Sequence, residues 1–221
     1  MKTLVIGASR GIGLEFVRQE RAAGREVVAT ARDDDALERL RALGATALAL
    51  DVASAESCSR LGWRLDGLAF DLVLLNAGVY GPQTDGLQAP SDDEFDAVMR
   101  VNVLGPMRLL PELAERLAPG ARLVAVSSRM GSIGERASPG GWLYRASKAA
   151  LNSVLKDASL ALQGRAVCVV VHPGWVRTDM GGAGADLSPE QSVADLRRTI
   201  AGLTDADNGR FLNHDGQPIA W

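Results

Sequence analysis

Residues 5–16 read VIGASRGIGLEF and place three glycines, Gly7, Gly11 and Gly13, between an apolar run and a helical pattern. The start of a helix attracts anions, because its first amide groups are unpaired and the helix dipole is positive there. Glycines let a ligand come close to the backbone. The spacing alone fits a tight turn equally well, but its place between a strand and a helix favours a seat for phosphate groups.

Short apolar runs alternate with helical patterns along the rest of the chain. The runs are nearly continuous, which is typical of strands in a parallel sheet that is covered on both faces. Six of them are predicted strands: KTLVIG, REVVATAR, ATALALDV, DLVLLNAG, ARLVAVSS and RAVCVVVHPG. A weaker seventh strand is expected near residues 210–213. Helices are predicted over 11–23, 34–43, 54–65, 92–117 (broken or kinked near Pro106), 144–162 and 188–202.

This alternation predicts a single Rossmann-type α/β domain over residues 1–221. The expected architecture is a doubly wound parallel sheet of about seven strands, with helices on both faces and right-handed crossovers. Segments 79–91, 129–143 and 177–189 are rich in Gly, Pro, Ser or Asp, and each follows the carboxyl end of a predicted strand. Ligands of open α/β sheets bind at that edge, so these segments are expected to form the substrate loops of a small-molecule site.

Composition excludes several classes of function. The net charge is −3 and there is no block of Lys or Arg, which argues against nucleic acid as a partner. The apolar run before Gly7 is too short for a secretory signal, and no segment approaches the ~18 apolar residues of a membrane span. Cys58 and Cys168 do not have metal-ligand spacing and are expected to be buried thiols. We therefore expect a cytoplasmic protein with no metal site and no membrane contact.

The end of the second predicted strand bears on cofactor choice. Dinucleotide sites often have an acid there that binds the ribose hydroxyls, but this strand ends ATARDDD, with Ala31 at that place and Arg32 after it. Arg10 lies inside the glycine loop. Two guanidinium groups suit a 2′-phosphate and predict NADP(H) rather than NAD(H). The alternative is that Arg32 pairs with the acids at 33–35 or faces solvent.

Tyr144 and Lys148 are four residues apart in a helical pattern and therefore share one helix face. A free tyrosine has a pKa near ~10, and a nearby ammonium group favours its phenolate, which would make the hydroxyl useful for proton transfer. The pair alone is also common on helix surfaces, and the small residues around it would permit close helix packing.

Taken in order, the motifs resemble those of the short-chain dehydrogenase/reductase family. GASRGIG matches the cofactor loop, DV at 51–52 the adenine contact, NAG at 76–78 the motif after the fourth strand, and PGWVRT at 173–178 the nicotinamide-side motif. SSRMGSIGERASPGGWLYRASKAALN and the ending LTDADNGRFLNHDGQPIAW are most similar to the C-factor and sniffer group of carbonyl reductases.

The resemblance implies a catalytic tetrad of Asn102, Ser128, Tyr144 and Lys148. Tyr144 would donate a proton to the carbonyl oxygen, and Ser128 would hydrogen-bond that oxygen. Lys148 would lower the pKa of Tyr144 and bind the ribose, and Asn102 would anchor a water between Lys148 and solvent. Asn102 alone also fits a helix-kink residue. The serine-to-tyrosine spacing of 16 is longer than is usual in the family, so Ser127 competes with Ser128.

One departure concerns Ile6, which stands where the family usually has a threonine; the hydrogen bond of that threonine toward the fourth strand must be absent or replaced. The residues expected to bind the dinucleotide are Gly7, Ser9, Arg10, Gly11, Ile12, Gly13, Arg32, Asp51, Val52, Asn76, Ala77, Gly78, Tyr144, Lys148, Pro173, Gly174, Val176 and Thr178. Apolar and aromatic residues of the substrate loops are expected to frame the substrate, unless they serve packing or oligomer contacts: Tyr80, Met130, Trp142, Trp175 and Met180.

The predicted function is an NADPH-dependent oxidoreductase that reduces a ketone or aldehyde to an alcohol, or runs the reverse reaction. The alternative is a dinucleotide-binding signalling or regulatory protein of C-factor type with incidental catalysis. A sugar-nucleotide epimerase fits poorly, because that group is longer and uses another glycine spacing. A homodimer through the helices at 92–117 and 144–162 is expected.

Overall fold

The computed structural model describes residues 1–84 and 87–221. Within them, seven parallel strands form one sheet in the order β3-β2-β1-β4-β5-β6-β7. The strands are β1 Lys2–Ile6, β2 Glu26–Ala31, β3 Thr46–Ala49, β4 Phe70–Leu75, β5 Leu117–Val126, β6 Ala166–His172 and β7 Phe211–Asn213. The chain starts at β1, builds outward to β3 and then restarts beside β1 with β4. The predicted doubly wound sheet is confirmed, and β1 and β4 form its topological switch point.

Seven α-helices connect the strands in the described ranges. They are α1 Gly11–Ala22, α2 Asp34–Ala42, α3 Ala55–Arg64, α4 Asp92–Met99, α5 Gly105–Ala114, α6 Trp142–Ala161 and α7 Pro189–Ala201. Short 3-10 turns lie at Arg129–Gly131 and Asp205–Asp207. None of the helices over these residues has the length and hydrophobicity that crossing a membrane would require.

The core has two layers, one on each face of the sheet. On β1, Leu4 and Ile6 face one layer and Val5 the other, because side chains alternate along a strand. Helices α1, α2 and α7 cover the layer that contains Val5, and α3, α5 and α6 cover the opposite one. Cys58 and Cys168 are buried in the second layer as free thiols, as expected.

The helix predicted over 92–117 is three segments. A π-helical turn, Arg100–Leu104, separates α4 from α5, and Pro106 lies in the first turn of α5, where a missing N–H costs nothing. The predicted break near Pro106 is therefore confirmed. The predicted end at 117 is wrong, because Leu117 already pairs with Phe70 at the start of β5. Pro119 disfavours a helical conformation for the residue before it, which ends the helical pattern early.

Candidate active site

A cavity of about 450 Å³ opens at the carboxyl ends of the central strands, beside the switch point. The predicted site residues that line it are Gly7, Ser9, Arg10, Gly11, Ile12, Arg32, Asp51, Val52, Asn76, Ala77, Gly78, Tyr144, Lys148, Pro173, Thr178 and Met180. Their sequence positions span four of the predicted motifs, so the fold brings those motifs to one surface. Arg177 and Asp179 also line the cavity and were missed by the sequence reasoning.

The three glycines of the first loop have different roles. Gly7 has φ of +86°, and a Cβ there would lie 2.6 Å from the backbone nitrogen of Ala77. A Cβ on Gly13 would overlap the Gly7 carbonyl oxygen and lie 2.6 Å from Asn76 Nδ2. Gly11 has φ of +53° and only Thr178 as a near neighbour. Gly7 and Gly13 are thus required by close packing, whereas Gly11 is favoured by its positive φ and has the Thr178 methyl group as a close neighbour.

The N-terminus of α1 fits an anionic ligand. Arg10 is its N-cap residue and makes no side-chain capping hydrogen bond. The first amide groups of the helix are therefore not satisfied by a cap, and they lie at the cavity where Gly11 and Ile12 line it. Unpaired amides and the positive end of a helix dipole are what a phosphate group needs.

The hydrogen bond expected from a threonine at position 6 is replaced by two neighbouring side chains. The Gly7 amide donates to Thr30 Oγ1 at 3.0 Å, and Asn76 Nδ2 donates to the Gly7 carbonyl at 2.6 Å. The backbone amides of Asn76 and Ala77 both donate to the Ile6 carbonyl at 2.9 Å. The glycine loop is therefore fastened to β2 and to the end of β4 without that threonine.

Three guanidinium groups surround the loop at the β2 end of the cavity. Arg32 is exposed at the rim, while the adjacent Asp33 uses its carboxylate to cap α2 by accepting from the Ala36 amide at 2.8 Å. Arg39, which the sequence reasoning missed, is exposed on α2 and donates to the Ser9 carbonyl at 3.4 Å. Arg10 forms an ion pair with Asp179 at 2.7 Å. Three cationic side chains therefore lie around this end, and the carboxylates of Asp51 and Asp179 also line the cavity.

Tyr144 and Lys148 lie on the buried face of α6. The Tyr144 ring stacks on the Tyr80 ring with centroids 4.6 Å apart, and its hydroxyl lies 3.9 Å from the Met180 sulfur. Lys148 Nζ donates to the Val126 carbonyl at 3.0 Å and lies 5.8 Å from the centre of the Tyr144 ring. Both side chains are almost fully buried and also reach the cavity wall.

Burial shifts the pKa values of Tyr144 and Lys148 in opposite directions. It raises the pKa of Tyr144 to about 12, and the nearby Ser128 hydroxyl opposes this shift by stabilising the phenolate. Burial lowers the pKa of Lys148 to about 8. Burial is the largest influence on the Tyr144 hydroxyl, and the expected lowering of its pKa by Lys148 stays a prediction.

The two competing serines face different surroundings. Ser127 Oγ donates to Asn152 Oδ1 at 2.7 Å, between β5 and α6, although the residue borders the cavity. Ser128 Oγ accepts from the Met130 amide at 3.1 Å. The Ser128 hydroxyl also lowers the pKa of Tyr144. The Ser127 hydroxyl is thus engaged with α6, and Ser128 is the serine whose hydroxyl lowers the pKa of Tyr144.

Asn102 is fully buried in the π-helical turn. Its side chain accepts from the Val79 amide at 2.9 Å and donates to the Val79 carbonyl at 2.8 Å and to Ser147 Oγ at 2.9 Å. A Cβ on Gly78 would lie 3.3 Å from Lys148 Nζ and 3.4 Å from Asn102 Oδ1. Asn102 thus lies at the irregular turn between α4 and α5, and it also lies close to Lys148.

The residues expected to frame the substrate are only partly brought together. Tyr80 and Met180 lie against Tyr144, and the Met130 methyl group approaches Gly141 beside the Tyr80 hydroxyl. Trp175 is half exposed, and its indole N–H donates to the Gly181 carbonyl at 2.8 Å.

Several other predicted residues shape the site without lining the cavity. Trp142 starts α6, and its buried indole N–H has no hydrogen-bond partner among the described residues. Gly174, with φ of +85°, packs against Leu187 and His214, and Val176 is buried.

Comparison with known proteins places the chain among oxidoreductases. The model of the short chain dehydrogenase family matches residues 2–186. The 1-hydroxy-2-glutathionyl-2-methyl-3-butene dehydrogenase of Rhodococcus sp. (strain AD45) is 36% identical over 229 residues, which cover 99% of this chain and 98% of that protein. The C-signal protein of Myxococcus xanthus is 38% identical over 157 residues, covering 68% of this chain and 92% of that protein.

Solved structures agree over the whole chain. The carbonyl reductase Sniffer of D. melanogaster superposes with a TM-score of 0.91 at 29% identity and covers 100% of this chain and 99% of its own. A carbonyl reductase of Pseudomonas aeruginosa PAO1 in complex with NADP superposes with a TM-score of 0.84 at 33% identity, with the same coverage. The resemblance to the C-factor and sniffer group is confirmed.

The depressed pKa of Lys148 predicts a stability cost that depends on pH. Below a pH of about 8 the folded chain holds a buried ammonium, whereas unfolding frees it to its ordinary pKa of 10.5. The cost is fully present below the folded pKa and disappears as pH rises toward the unfolded one. We expect Lys148→Met to be more stable than the parent protein at pH 7 by about 1–3 kcal/mol, with a smaller difference at pH 10.

Urea unfolding of both proteins at pH 7 and pH 10 measures this difference. Lys156→Met is the matched control, because Lys156 lies on the same helix and is exposed. A Lys148→Met protein that is less stable at both pH values would show that the buried ammonium is not costly.

Proposed function

The chain belongs to the short-chain dehydrogenase family, and from that premise we propose that it is an NADPH-dependent carbonyl reductase. It would reduce a ketone or aldehyde to an alcohol by hydride transfer, with Tyr144 as the general acid. The observation that carries this proposal is the buried Tyr144 hydroxyl, which lies at the wall of the cavity and beside Ser128.

The residues of the cavity fit a dinucleotide. Unpaired amides at the start of α1 suit the pyrophosphate, and the guanidinium groups of Arg10 and Arg32 suit a 2′-phosphate. The P. aeruginosa carbonyl reductase of similar fold was solved in complex with NADP, which supports the same cofactor here. When bound, NADPH supplies the hydride for the reduction.

The protonated state of Tyr144 suits the acid role in the reductive direction. With a pKa of about 12, its hydroxyl keeps its proton at neutral pH and is able to donate it to a carbonyl oxygen that gains negative charge. Ser128 would donate a second hydrogen bond to the same oxygen. In the reverse reaction the same residue would take the proton from the alcohol.

Lys148 and Asn102 would support the reaction without donating a hydrogen bond to the carbonyl oxygen. Lys148 keeps its charge at neutral pH, since its pKa is about 8, and would bind the ribose hydroxyls. Asn102 holds the backbone at Val79 through two hydrogen bonds and so fixes the segment beside Lys148. A water between Asn102 Oδ1 and Lys148 remains our proposal for the path of the replacement proton.

The proposed substrate is an apolar carbonyl compound of medium size. Tyr80 and Met180 lie at the Tyr144 hydroxyl, and Trp175 is half exposed nearby in sequence. Aromatic and thioether surfaces of this kind bind apolar groups rather than ions. The Rhodococcus relative is named for an alcohol that carries a charged glutathionyl group, so that alcohol belongs in a test panel as the contrast to apolar carbonyl compounds.

The cellular setting and assembly follow as proposals. We propose a cytoplasmic homodimer that pairs through α4, α5 and α6, where Phe95, Met107 and Leu160 are half exposed. Exposed apolar residues on neighbouring helices favour burial against a second subunit. Light scattering on the purified protein measures the mass directly.

A second candidate function is a dinucleotide-binding regulator of C-factor type. Its support is the similarity to the C-signal protein of M. xanthus. A cellular response of this kind should survive Ser128→Ala and Tyr144→Phe but should fail when a bulky residue replaces Gly11. Turnover by the wild type of any carbonyl compound in a panel, lost in Tyr144→Phe, favours the enzyme.

Tyr144→Phe removes the proton donor and leaves the ring stack in place. We expect turnover to fall at least ~100-fold, because general acid catalysis contributes about that much or more, while NADPH affinity stays nearly unchanged. Tyr80→Phe is the matched control, since it makes the same change on the stacked partner and should alter turnover little. Near-normal turnover by Tyr144→Phe would refute the mechanism.

Substitutions of the two serines should differ in their effects on kinetics and on stability. Ser128→Ala should lower kcat by about 100-fold with little change in KM, because its hydrogen bond strengthens as the oxygen gains charge. Ser127→Ala should keep most of kcat but lose about 1 kcal/mol of stability with the Asn152 hydrogen bond. Steady-state kinetics measures kcat and KM, and urea unfolding measures stability. A large loss of kcat in Ser127→Ala and a small one in Ser128→Ala would assign the catalytic role to Ser127.

Cofactor preference should depend on Arg32. A hydrogen bond to a charged group is worth about 1.5–3 kcal/mol, so NADPH should bind roughly 10- to 100-fold more tightly than NADH. Arg32→Ala should remove most of that preference, and Ala31→Asp should move it toward NADH. Arg41→Ala, an exposed arginine on α2, serves as the control. Equal affinities in the wild type would overturn the assignment.

A further inference from the structure

An ion pair joins opposite rims of the cavity. Arg10 Nη1 lies 2.7 Å from Asp179 Oδ2, and the two residues are 169 positions apart in the chain. Arg10 caps α1, whereas Asp179 lies in the segment that follows β6. Beside the ion pair, Thr178 approaches Gly11, with its methyl group 3.2 Å from where a Cβ of Gly11 would lie. The pair therefore spans the mouth of the proposed phosphate seat.

The Asp179 end of this ion pair is connected to the catalytic hydroxyl. Met180 follows directly, and its sulfur lies 3.9 Å from the Tyr144 hydroxyl. The segment is a tight turn: the Gly182 amide donates to the Thr178 carbonyl at 2.8 Å, and the Gly181 amide to Thr178 Oγ1 at 3.2 Å. Asp179 and Met180 therefore belong to one hydrogen-bonded turn, with Met180 at the place where a carbonyl oxygen must reach the Tyr144 hydroxyl.

Arg10 has two possible anionic partners in this arrangement. Both side chains of the ion pair are about three-quarters exposed, at 74% and 73%, so the pair is weak and easily exchanged. A phosphate dianion is a stronger partner for a guanidinium group than one exposed carboxylate. A 2′-phosphate at Arg10 would therefore displace Asp179.

We propose that Asp179 competes with the 2′-phosphate of NADPH for Arg10, and that its release lets Met180 leave the Tyr144 hydroxyl. The inference rests on the proposed function, because it assigns the 2′-phosphate to Arg10. NADH lacks that phosphate and leaves the ion pair intact. Asp179 is thus a specificity-determining residue: it weakens NADPH binding somewhat and makes access to Tyr144 depend on the phosphorylated cofactor.

Cofactor titrations test the competition. Asp179→Asn should bind NADPH about two- to fivefold more tightly than the wild type, the range set by an exposed ion pair, with NADH affinity unchanged. Asp186→Asn removes the same charge from an exposed site in the same segment and should change neither affinity. If Asp179→Asn lowered the affinity for NADPH and for NADH equally, the ion pair would serve to hold either cofactor. If the NADPH affinity did not change, Asp179 would not compete with the 2′-phosphate. Either result overturns the proposal.

A methyl NMR experiment tests the movement of Met180 without turnover. The methionine methyl groups are labelled with ¹³C, and Met180→Leu assigns the relevant signal. In the wild type, adenosine 2′,5′-bisphosphate should shift the Met180 signal and 5′-AMP should not. In Asp179→Asn the signal should start at the shifted position. A Met180 signal that ignores the 2′-phosphate would overturn the coupling.

The two proposals fail in different ways. The ratio of NADPH to NADH affinity in the wild type tests the cofactor assignment, and the comparison of Asp179→Asn with the wild type tests the competition. A wild type that prefers NADPH strongly but is insensitive to Asp179→Asn would retain the reductase and reject the competition. A wild type with no preference would reject both.

Discussion

The close approach of β1 and β4 at the switch point is the constraint on which the site depends. Gly7 lies so near the Ala77 backbone that no side chain fits between them, and Gly13 lies equally close to the Gly7 carbonyl. These two contacts let α1 begin directly over the carboxyl ends of both strands. Asn76 and Thr30 then hydrogen-bond the Gly7 backbone and hold the loop in this position. The unpaired amides of α1 face the cavity as a consequence.

Burial accounts for the chemistry at the other end of the cavity. It disfavours the charged form of both Tyr144 and Lys148, so one keeps its proton and the other gives it up more readily. The same burial costs stability, because a lysine in this position cannot be fully hydrated. The Lys148 ammonium group donates to the Val126 carbonyl, and the Ser128 hydroxyl stabilises the phenolate form of Tyr144. Among the described residues, few donors are left that could act on a carbonyl oxygen.

The sequence predicted those features that depend on local pattern. Continuous apolar runs identified the strands, and helical spacing placed Tyr144 and Lys148 on one face of α6. Glycine spacing identified the loop between β1 and α1 but could not assign Gly13 to packing, because the Gly7 carbonyl is its neighbour only after β1 turns into α1. The contact of Arg10 with Asp179 joins residues 169 positions apart and has no local signal. The choice between Ser127 and Ser128 depends on which way each hydroxyl turns after β5, and the pKa of Tyr144 depends on burial; neither can be read from spacing.

The π-helical turn at Arg100–Leu104 has a consequence for how this protein can change over time. Such a turn holds one more residue than the α-helical turn it interrupts, and Asn102 reaches Val79 from within it. Loss of one residue there would return the stretch to an ordinary α-helical turn and would change which backbone groups pair around Asn102. Substitutions in this stretch alter single contacts, but a deletion would carry Asn102 away from the site whatever amino acid was lost. Descendants of this chain can therefore vary the composition of the stretch more freely than its length.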